Sequence, residues 1–404
     1  MADTSSGPPA QPAGDVATST SAAARAELLR SPLHEAHAAA GARFAPFGGW
    51  SMPVEYAGGG TLAEHAAVRG RVGLFDVSHL GTVLVRGPGA VDLLEHVLSG
   101  SVADLPDGRA RYMLCLSTAG GIVDDLIVYR VSAQDMVLVP NASNAPAVVA
   151  ALQAAAGPGT EVVDVHADVA VLAVQGPLAD EVLDAAGLPH AHGYLSFVTV
   201  PADGTGGASD PTDRTVVCRT GYTGERGYEV LVPAARAGAV FAALHEAVTA
   251  RGGLLAGLGA RDTLRTEMGY PLHGSDIGTD VSPVEAGLGF AVGWAKDDFV
   301  GRDAVVRLKE AGPARRATGL LALGRGVPRA GMAVHRLDGD TLGERVGTTT
   351  SGTFSPTLRT GVALALLDTA AGLTAGDEVA VDVRGRPLRC RVTKPPFVPS
   401  HVRG

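Results

Sequence analysis

An α+β body followed by a C-terminal β-barrel is the fold this sequence predicts, on three observations. Short helical and short strand patterns alternate as far as Gly312-Pro313, without the regular strand–helix–strand series of a parallel sheet. From about Arg315 helical periodicity stops, and six β-like runs follow, separated by turn residues. The 404 residues, 46% of them hydrophobic, can bury a large core but exceed one ordinary domain, so two or three domains are expected.

Taken in order, residues 1–30 read as a disordered tail, rich in Ala, Ser, Thr, Gly and Pro and too poor in apolar surface to offset ordering entropy. With Asp3 and Asp15 ahead of the first arginine, Arg25, and no apolar run after a basic start, it resembles neither a transit peptide nor a secretory signal. Ser31 as N-cap and Pro32 at the first helical position begin a short helix that Gly41 ends. PFGGWSMPVEY then reads as an irregular loop. Thr61 to Arg71 is a helix with Thr61 and Glu64 as a capping box. Gly73 to His79 is a turn, Thr82 to Arg86 a strand, and Ala90 to Ser99 a helix. Arg111–Leu116, Ile122–Val131 and Val137–Val139 are strands, the first two joined by the turn Ser117-Thr118-Ala119-Gly120-Gly121. Asn144 to Ala156 is helical, Val162 to Leu172 alternates, and a short helix starts at Leu178. Pro201 to Asp213 is a polar loop. Thr215–Thr220 and Tyr228–Val232 form a hairpin, Ala239–Arg251 and Ala260–Glu267 are helices, and a further helix runs from Gly301 to Gly312. The barrel runs are Thr318–Leu323, Met332–His335, Glu344–Thr350, Gly361–Leu367, Glu378–Val383 and Leu388–Thr393. The division is therefore tail 1–30, body 31–310 and barrel domain 315–404.

Charged residues make up 19% and the net charge is -9, with no dense basic run, which argues against nucleic acid as the main ligand. Three distant cysteines, Cys115, Cys218 and Cys390, have no metal-site spacing and suit a reducing compartment. No apolar stretch is long enough for a bilayer. A cytoplasmic protein without a membrane partner is expected.

Three segments carry candidate chemistry. In GGIVDDLIVY, period two puts Asp125, Ile127 and Tyr129 on one strand face and Asp124 on the other, so one aspartate points into an interior or cleft. Either the pair caps turn amides, or one carboxylate lines a ligand pocket. In RTGYTGERGYE a hairpin explains the glycines but not Tyr222, Tyr228 or Glu229. A packed Tyr228 leaves Glu229 facing solvent or a cleft, where two oxygens could receive parallel N–H donors. In GLGARDTLRTE, Arg261 and Arg265 share a helix face, either solvated or reaching a ligand carbonyl or carboxylate. His34, His37, His65 and His79 lack metal spacing, Ser78-His79 lacks a triad's third group, and GRGVPRAG lacks a phosphate loop's setting.

These motifs, with SPLHEAH, FGGWSMPVEY, GLFDVSHLG, QGP, SPVEAGLG, DFVGRDA and TSGTFSPTLRTGVALAL, occur in an order that resembles the T-protein family of the glycine cleavage system over about residues 31 to 400. The resemblance implies a three-domain cloverleaf folate-binding fold, with the body as two intertwined α+β domains and the C-terminal β-barrel as the third. It implies a tetrahydrofolate-dependent aminomethyltransferase, with tetrahydrofolate as co-substrate and no metal, flavin or nicotinamide. Lipoylated H-protein is the implied partner, in association with the glycine decarboxylase and dihydrolipoamide dehydrogenase components. Asp125 matches the residue most tied to catalysis. Tyr112, Tyr129 and Tyr222 match tyrosines near the folate, Glu229 the glutamate that grips the pterin, and Arg261 a folate-contacting arginine. Leu80 stands where the family commonly has Met, His273 where it often has Tyr, and the N-terminal tail is atypical. Readings on the same architecture are a folate-dependent demethylase of a small methylated compound and part of a sarcosine- or dimethylglycine-oxidising enzyme, for which this chain shows no flavin domain. A non-enzymatic folate-binding maintenance protein would carry a cysteine-containing motif that GYTGERGYE lacks.

Overall fold

The computed structural model describes residues 27–200 and 210–403, and most of the expected tail and loop lie outside them. Strand-forming runs in the body do not join one sheet. Gly73–Asp76 and Val83–Arg86 are neighbours in sequence but enter different sheets. The first joins a six-stranded sheet with Phe197–Val200, Thr215–Cys218, Gly227–Pro233, Val169–Gln175 and Leu254–Leu255. The second joins a five-stranded antiparallel sheet with Arg109–Leu116, Ile122–Ser132, Asp135–Val139 and Glu161–Asp164. The chain thus crosses between the sheets and returns.

Alternation explains how they pack. Phe75, Val171, Ala173 and Leu231 of the first sheet meet Leu84, Ala110, Tyr129 and Val137 of the second in one apolar cluster, completed by Ala260 and Leu264 of the helix Leu258–Met268. The outer face of the six-stranded sheet is covered by Ala179–Ala185 and Ala237–Ala250, that of the five-stranded sheet by Ala90–Val97 and Ala145–Ala155. The six C-terminal runs all form strands, and they close into a barrel spanning Arg315–Thr393 around its own core.

Several local expectations are corrected. PFGGWSMPVEY is no loop: Ala42–Phe47 and Trp50–Tyr56 form an antiparallel hairpin, and Leu29–Arg30 adds to it in parallel, so the expected tail is partly ordered. The first helix is His34–Ala39, starting later than expected; the Ser31 oxygen accepts from Leu33 N at 3.1 Å at the helix entry, and its hydroxyl also donates to Asp76 at 2.5 Å. The second, Gly60–Gly70, has no capping box. Thr61 instead donates to Glu55, while Glu64 accepts the backbone N–H groups of Tyr56 and Gly257. Gly73–Asp76 is strand where a turn was expected, and Val162–Leu172 is broken by a short 3-10 turn at His166–Asp168. Ser31 and Glu64 are thus engaged by partners far along the chain, whereas the hairpin and the Thr61 contact are local.

Candidate active site

The two sheets and the helix Leu258–Met268 converge on one recess. From the five-stranded sheet come Tyr112 and Asp125. Register pairs Leu114 with Asp125 and Tyr112 with Ile127, so Tyr112 is the diagonal neighbour of Asp125 on one face. Its hydroxyl donates to Asp125 Oδ2 at 2.9 Å, and Asn141 Nδ2 donates to Oδ1 at 2.8 Å. Asp124, on the opposite face, is fully buried and accepts from Asn141 N at 3.0 Å, Asn141 Nδ2 at 2.9 Å and Asn144 Nδ2 at 2.7 Å. Neither aspartate caps the preceding turn. Asn141 and Asn144 carried no sequence signal beyond two amides three apart after a strand.

From the six-stranded sheet comes the hairpin turn. Tyr228 is fully buried in the core, so Glu229 points the other way, also buried, and accepts from Thr220 Oγ1 at 2.6 Å. Tyr129, wholly buried, reaches the same Thr220 hydroxyl at 3.0 Å and connects the two sheets behind the recess. Tyr222 donates to the carbonyl of Pro271 and stacks on Tyr270 at 5.7 Å between ring centres. That contact depends on how the helix ends. Gly269 adopts φ 71° and lets the chain turn back, and a side chain there would collide with Pro395, 2.3 Å from a would-be Cβ.

The helix supplies two arginines with different fates. Arg265 is buried and paired with Asp276 at 2.6 Å and Asp262 at 2.7 Å, a bracing role. Arg261 lies over the Tyr222 ring at 4.4 Å, and among the described residues its guanidinium makes no hydrogen bond or ion pair. Five N–H donors are left for a ligand beside Glu229, whose charge acts on Arg261.

Tyr112, Asp125, Tyr222 and Arg261 are each only partly covered, yet each is densely surrounded by protein atoms. Deep and still reachable is what the wall of a narrow recess looks like. Burial pushes the Asp125 carboxyl up, against the hydrogen bonds from Tyr112 and Asn141 and the charge of His273. Burial and the charge of Asp125 raise Asp124 to about 7. Burial, helped by the Asp125 charge, holds the Tyr112 phenol well above its ordinary range. Burial pulls Arg261 down, Glu229 and Tyr222 opposing. His79, buried with Nδ1 unpartnered, is pushed down to about 3 by burial and the charge of Arg261. Phe290, 76% exposed, stacks on Tyr112 at 5.9 Å. The sequence singles out His79 only to set it aside as a metal ligand or triad base, and it gives no sign of Phe290. A groove of about 960 Å³, between residues 273–281 and the barrel, includes His273 but none of the other residues named here. Among the described residues no cluster of His, Cys, Asp or Glu could hold a metal ion, and no helix is long and apolar enough to cross a membrane.

Residues 33–296 match the GCVT N-terminal domain family, and residues 315–399 match the glycine cleavage T-protein C-terminal barrel domain family. The aminomethyltransferase of Mycobacterium tuberculosis (strain ATCC 25618 / H37Rv) is 53% identical over 377 residues, covering 93% of this chain and 99% of that protein. That of Parafrankia sp. (strain EAN1pec) is 53% identical over 377 residues, covering 93% and 100%. The crystal structure of glycine cleavage system aminomethyltransferase T from Bartonella henselae has a TM-score of 0.84 to this fold at 36% identity, covering 93% of this chain and 99% of that one.

Proposed function

As a member of the glycine cleavage T-protein family, to which this chain belongs, it is an aminomethyltransferase that acts with tetrahydrofolate in glycine cleavage, and we propose that the recess around Asp125 is where the transfer takes place. The single observation that carries the site is a deep, reachable carboxylate held from two sides, by Tyr112 and Asn141. A free guanidinium and a buried glutamate lie in the same recess.

That donor set fits a reduced pterin. Glu229 would accept the amino and ring N–H edge, Arg261 would donate to a ring carbonyl, and Tyr222, already stacked under Arg261, would pack against the ring. Tyr129 is buried behind them and would act through Thr220 and Glu229. Bound there, tetrahydrofolate supplies the two nitrogens, N5 and N10, that receive the carbon. The methylene carbon exchanges its bonds to sulfur and amine nitrogen for bonds to N5 and N10. The two displaced N–H protons go to the departing amine and to the sulfur, giving ammonia and the dihydrolipoyl thiol.

Asp125 would stabilise positive charge as it develops on the nitrogens and accept a proton there. Its raised proton affinity suits a group that must accept a proton during the transfer. Tyr112 would hold it in place. Positioning two bound groups in a confined recess would supply much of the rate. The carrier would be a lipoylated H-protein, and the functional association that with the other glycine cleavage components. The chain divides on this reading into the folate-binding body 31–310 and the barrel domain 315–404. The test measures ammonia release and 5,10-methylenetetrahydrofolate formation from aminomethyl-loaded H-protein, for the wild type and Asp125→Asn. Turnover that collapses in a folded variant supports the reading. A wild type that binds folate without turnover sinks it and favours a demethylase of a small methylated compound or a folate-binding maintenance protein.

A further inference from the structure

Asn141 faces three oxygens with one amide nitrogen: Asp124 Oδ1 at 2.9 Å, Asp125 Oδ1 at 2.8 Å and the Asp125 carbonyl at 2.9 Å. The orientation is forced, because an amide oxygen there would meet only acceptors. Two N–H groups are thus shared among three acceptors, one on each carboxylate. Neither carboxylate forms an ion pair with Lys or Arg among the described residues. The groups that face the pair are Tyr112 and Cys115 from the adjoining strand, Tyr222 from the hairpin turn and His273 from the loop after the helix. Asn144 adds a neutral donor to Asp124.

A purely bracing carboxylate needs no second one beside it. Two neighbouring carboxylates under one shared amide are costly to ionise together, and their protons belong to the pair. We propose that Asp124, Asn141 and Asp125 work as one coupled acid unit, in which Asn141 is a positioning residue that aims Asp125 and Asp124 sets the charge the unit carries. Asn141 pins Oδ1, Tyr112 pins Oδ2, and the carboxylate cannot rotate away from the recess. When Asp124 is ionised its charge makes Asp125 a better proton acceptor, and when it is protonated Asp125 can stay ionised at little cost. The unit can hold one proton between its two carboxylates, with no Lys or Arg ion pair among the described residues to keep both ionised. This rests on the transfer reaction taking place in the Asp125 recess.

The experiment uses the full chain with aminomethyl-loaded H-protein and tetrahydrofolate, recording kcat and KM from pH 5.5 to 9. Asp124→Asn should move the acid limb of the kcat profile to lower pH by about one unit, because a neighbouring negative charge is removed. Asn141→Ala should lower kcat about 10- to 100-fold with the KM for tetrahydrofolate changed less than about threefold, and Asn141→Ser should restore part of it. Folded variants whose pH profiles superimpose on the wild type, or whose kcat and KM change in parallel, overturn the proposal. If Asp124→Asn does not fold, infrared titration of the carboxyl bands decides. In the wild type a carboxyl titrating near neutrality should shift when Asp125 is replaced by Asn, and a band that stays put means the two are independent. A wild type with no turnover is a different result, since it removes the transfer reading itself.

Discussion

Asp76 and Asp125 are both deeply set aspartates on sheets that pack against each other, and their surroundings give them opposite behaviour. Asp76 accepts from Ser31 Oγ at 2.5 Å, His37 Nε2 at 2.9 Å, and Ser78 N and Oγ at 2.9 and 2.5 Å. Burial alone would raise it. The hydrogen bond and electrostatic pull of His37, with the two serines, outweigh that and hold it below the usual carboxylate range. Asp125 has two side-chain donors, one of them shared with Asp124, and burial pushes its carboxyl up against them. Depth does not decide whether a buried carboxylate stays charged. What decides is whether the donors a carboxylate owns outright, and any opposite charge beside it, outweigh the burial. Asp76 ties Ser31, His37 and Ser78 together and is finished. Asp125 is left with proton chemistry to do.

The sharpest way to break this comparison is to neutralise each in turn. Asp125→Asn should lower kcat about 10²- to 10⁴-fold with its melting temperature close to wild type. Asp76→Asn should do the reverse. It should lose about 3 kcal/mol of stability in urea titration, since it strips the partner from the buried His37, and keep its activity per folded molecule within a few fold. Two variants that fail in the same manner would erase the distinction.

Much of this was legible in the sequence, and what was not lies in contacts that residue patterning does not mark. Period-two alternation placed Asp124 and Asp125 on opposite faces, and put Glu229 opposite the packed Tyr228, because strand geometry is local. All six barrel strands were found for the same reason, with turn residues between them. What was missed depends on partners that no periodicity marks, some of them far along the chain. Ser31 holds the Leu33 amide before the first helix but also binds Asp76, 45 positions away, which the sequence does not show. Glu64 looked like half of a capping box but serves Gly257, 193 positions away. PFGGWSMPVEY has too many Gly and Pro residues to look like a hairpin, yet it is held by pairing from Ala42 to Tyr56. Asn141 could not be seen because a bridging amide has no periodicity.

The ligand end of the recess should respond next. Arg261→Ala should weaken tetrahydrofolate binding about 10- to 100-fold by removing charge-assisted donors, while Arg265→Ala, which takes a braced arginine out of two ion pairs, should instead lower the melting temperature. Fluorescence titration with tetrahydrofolate separates them. If Arg261→Ala binds as the wild type does, the free guanidinium is not a ligand contact.

A smaller effect comes from pH, and the two acidic centres pull in opposite directions. Asp76 is lowered on folding, so its contribution is complete above the ordinary carboxylate range and is lost as pH falls through it. Asp124 is raised to about 7, so its contribution is present in acid and is lost as pH rises from the ordinary carboxylate range through about 7. Melting temperatures from pH 4 to 9 should therefore peak on the mildly acidic side. Asp124→Asn should flatten the alkaline slope by about 3 °C, and Asp76→Asn should flatten the acid slope. A wild type whose stability keeps rising beyond pH 7 would contradict the sign assigned to Asp124.

The smallest expected effect extends the same rule to a carboxylate with partners on both sides. Glu225 takes Arg69 at 2.9 Å from within, where Arg69 also pairs with Glu267 at 2.8 Å, and His401 at 2.9 Å from outside. The His401 side chain is 60% exposed, so water and salt screen it, whereas Arg69 and its two glutamates are largely enclosed. The main chain of His401 also donates to Gly224, which holds the C-terminal segment against the Tyr222 hairpin without the imidazole. His401→Ala should therefore cost only about 0.5 kcal/mol, vanish in 1 M salt and leave turnover unchanged. Arg69→Ala should cost several-fold more at any ionic strength, because it leaves two buried carboxylates without their shared donor. Equal losses from the two variants would mean that burial is not what separates a bracing pair from an ornamental one in this fold.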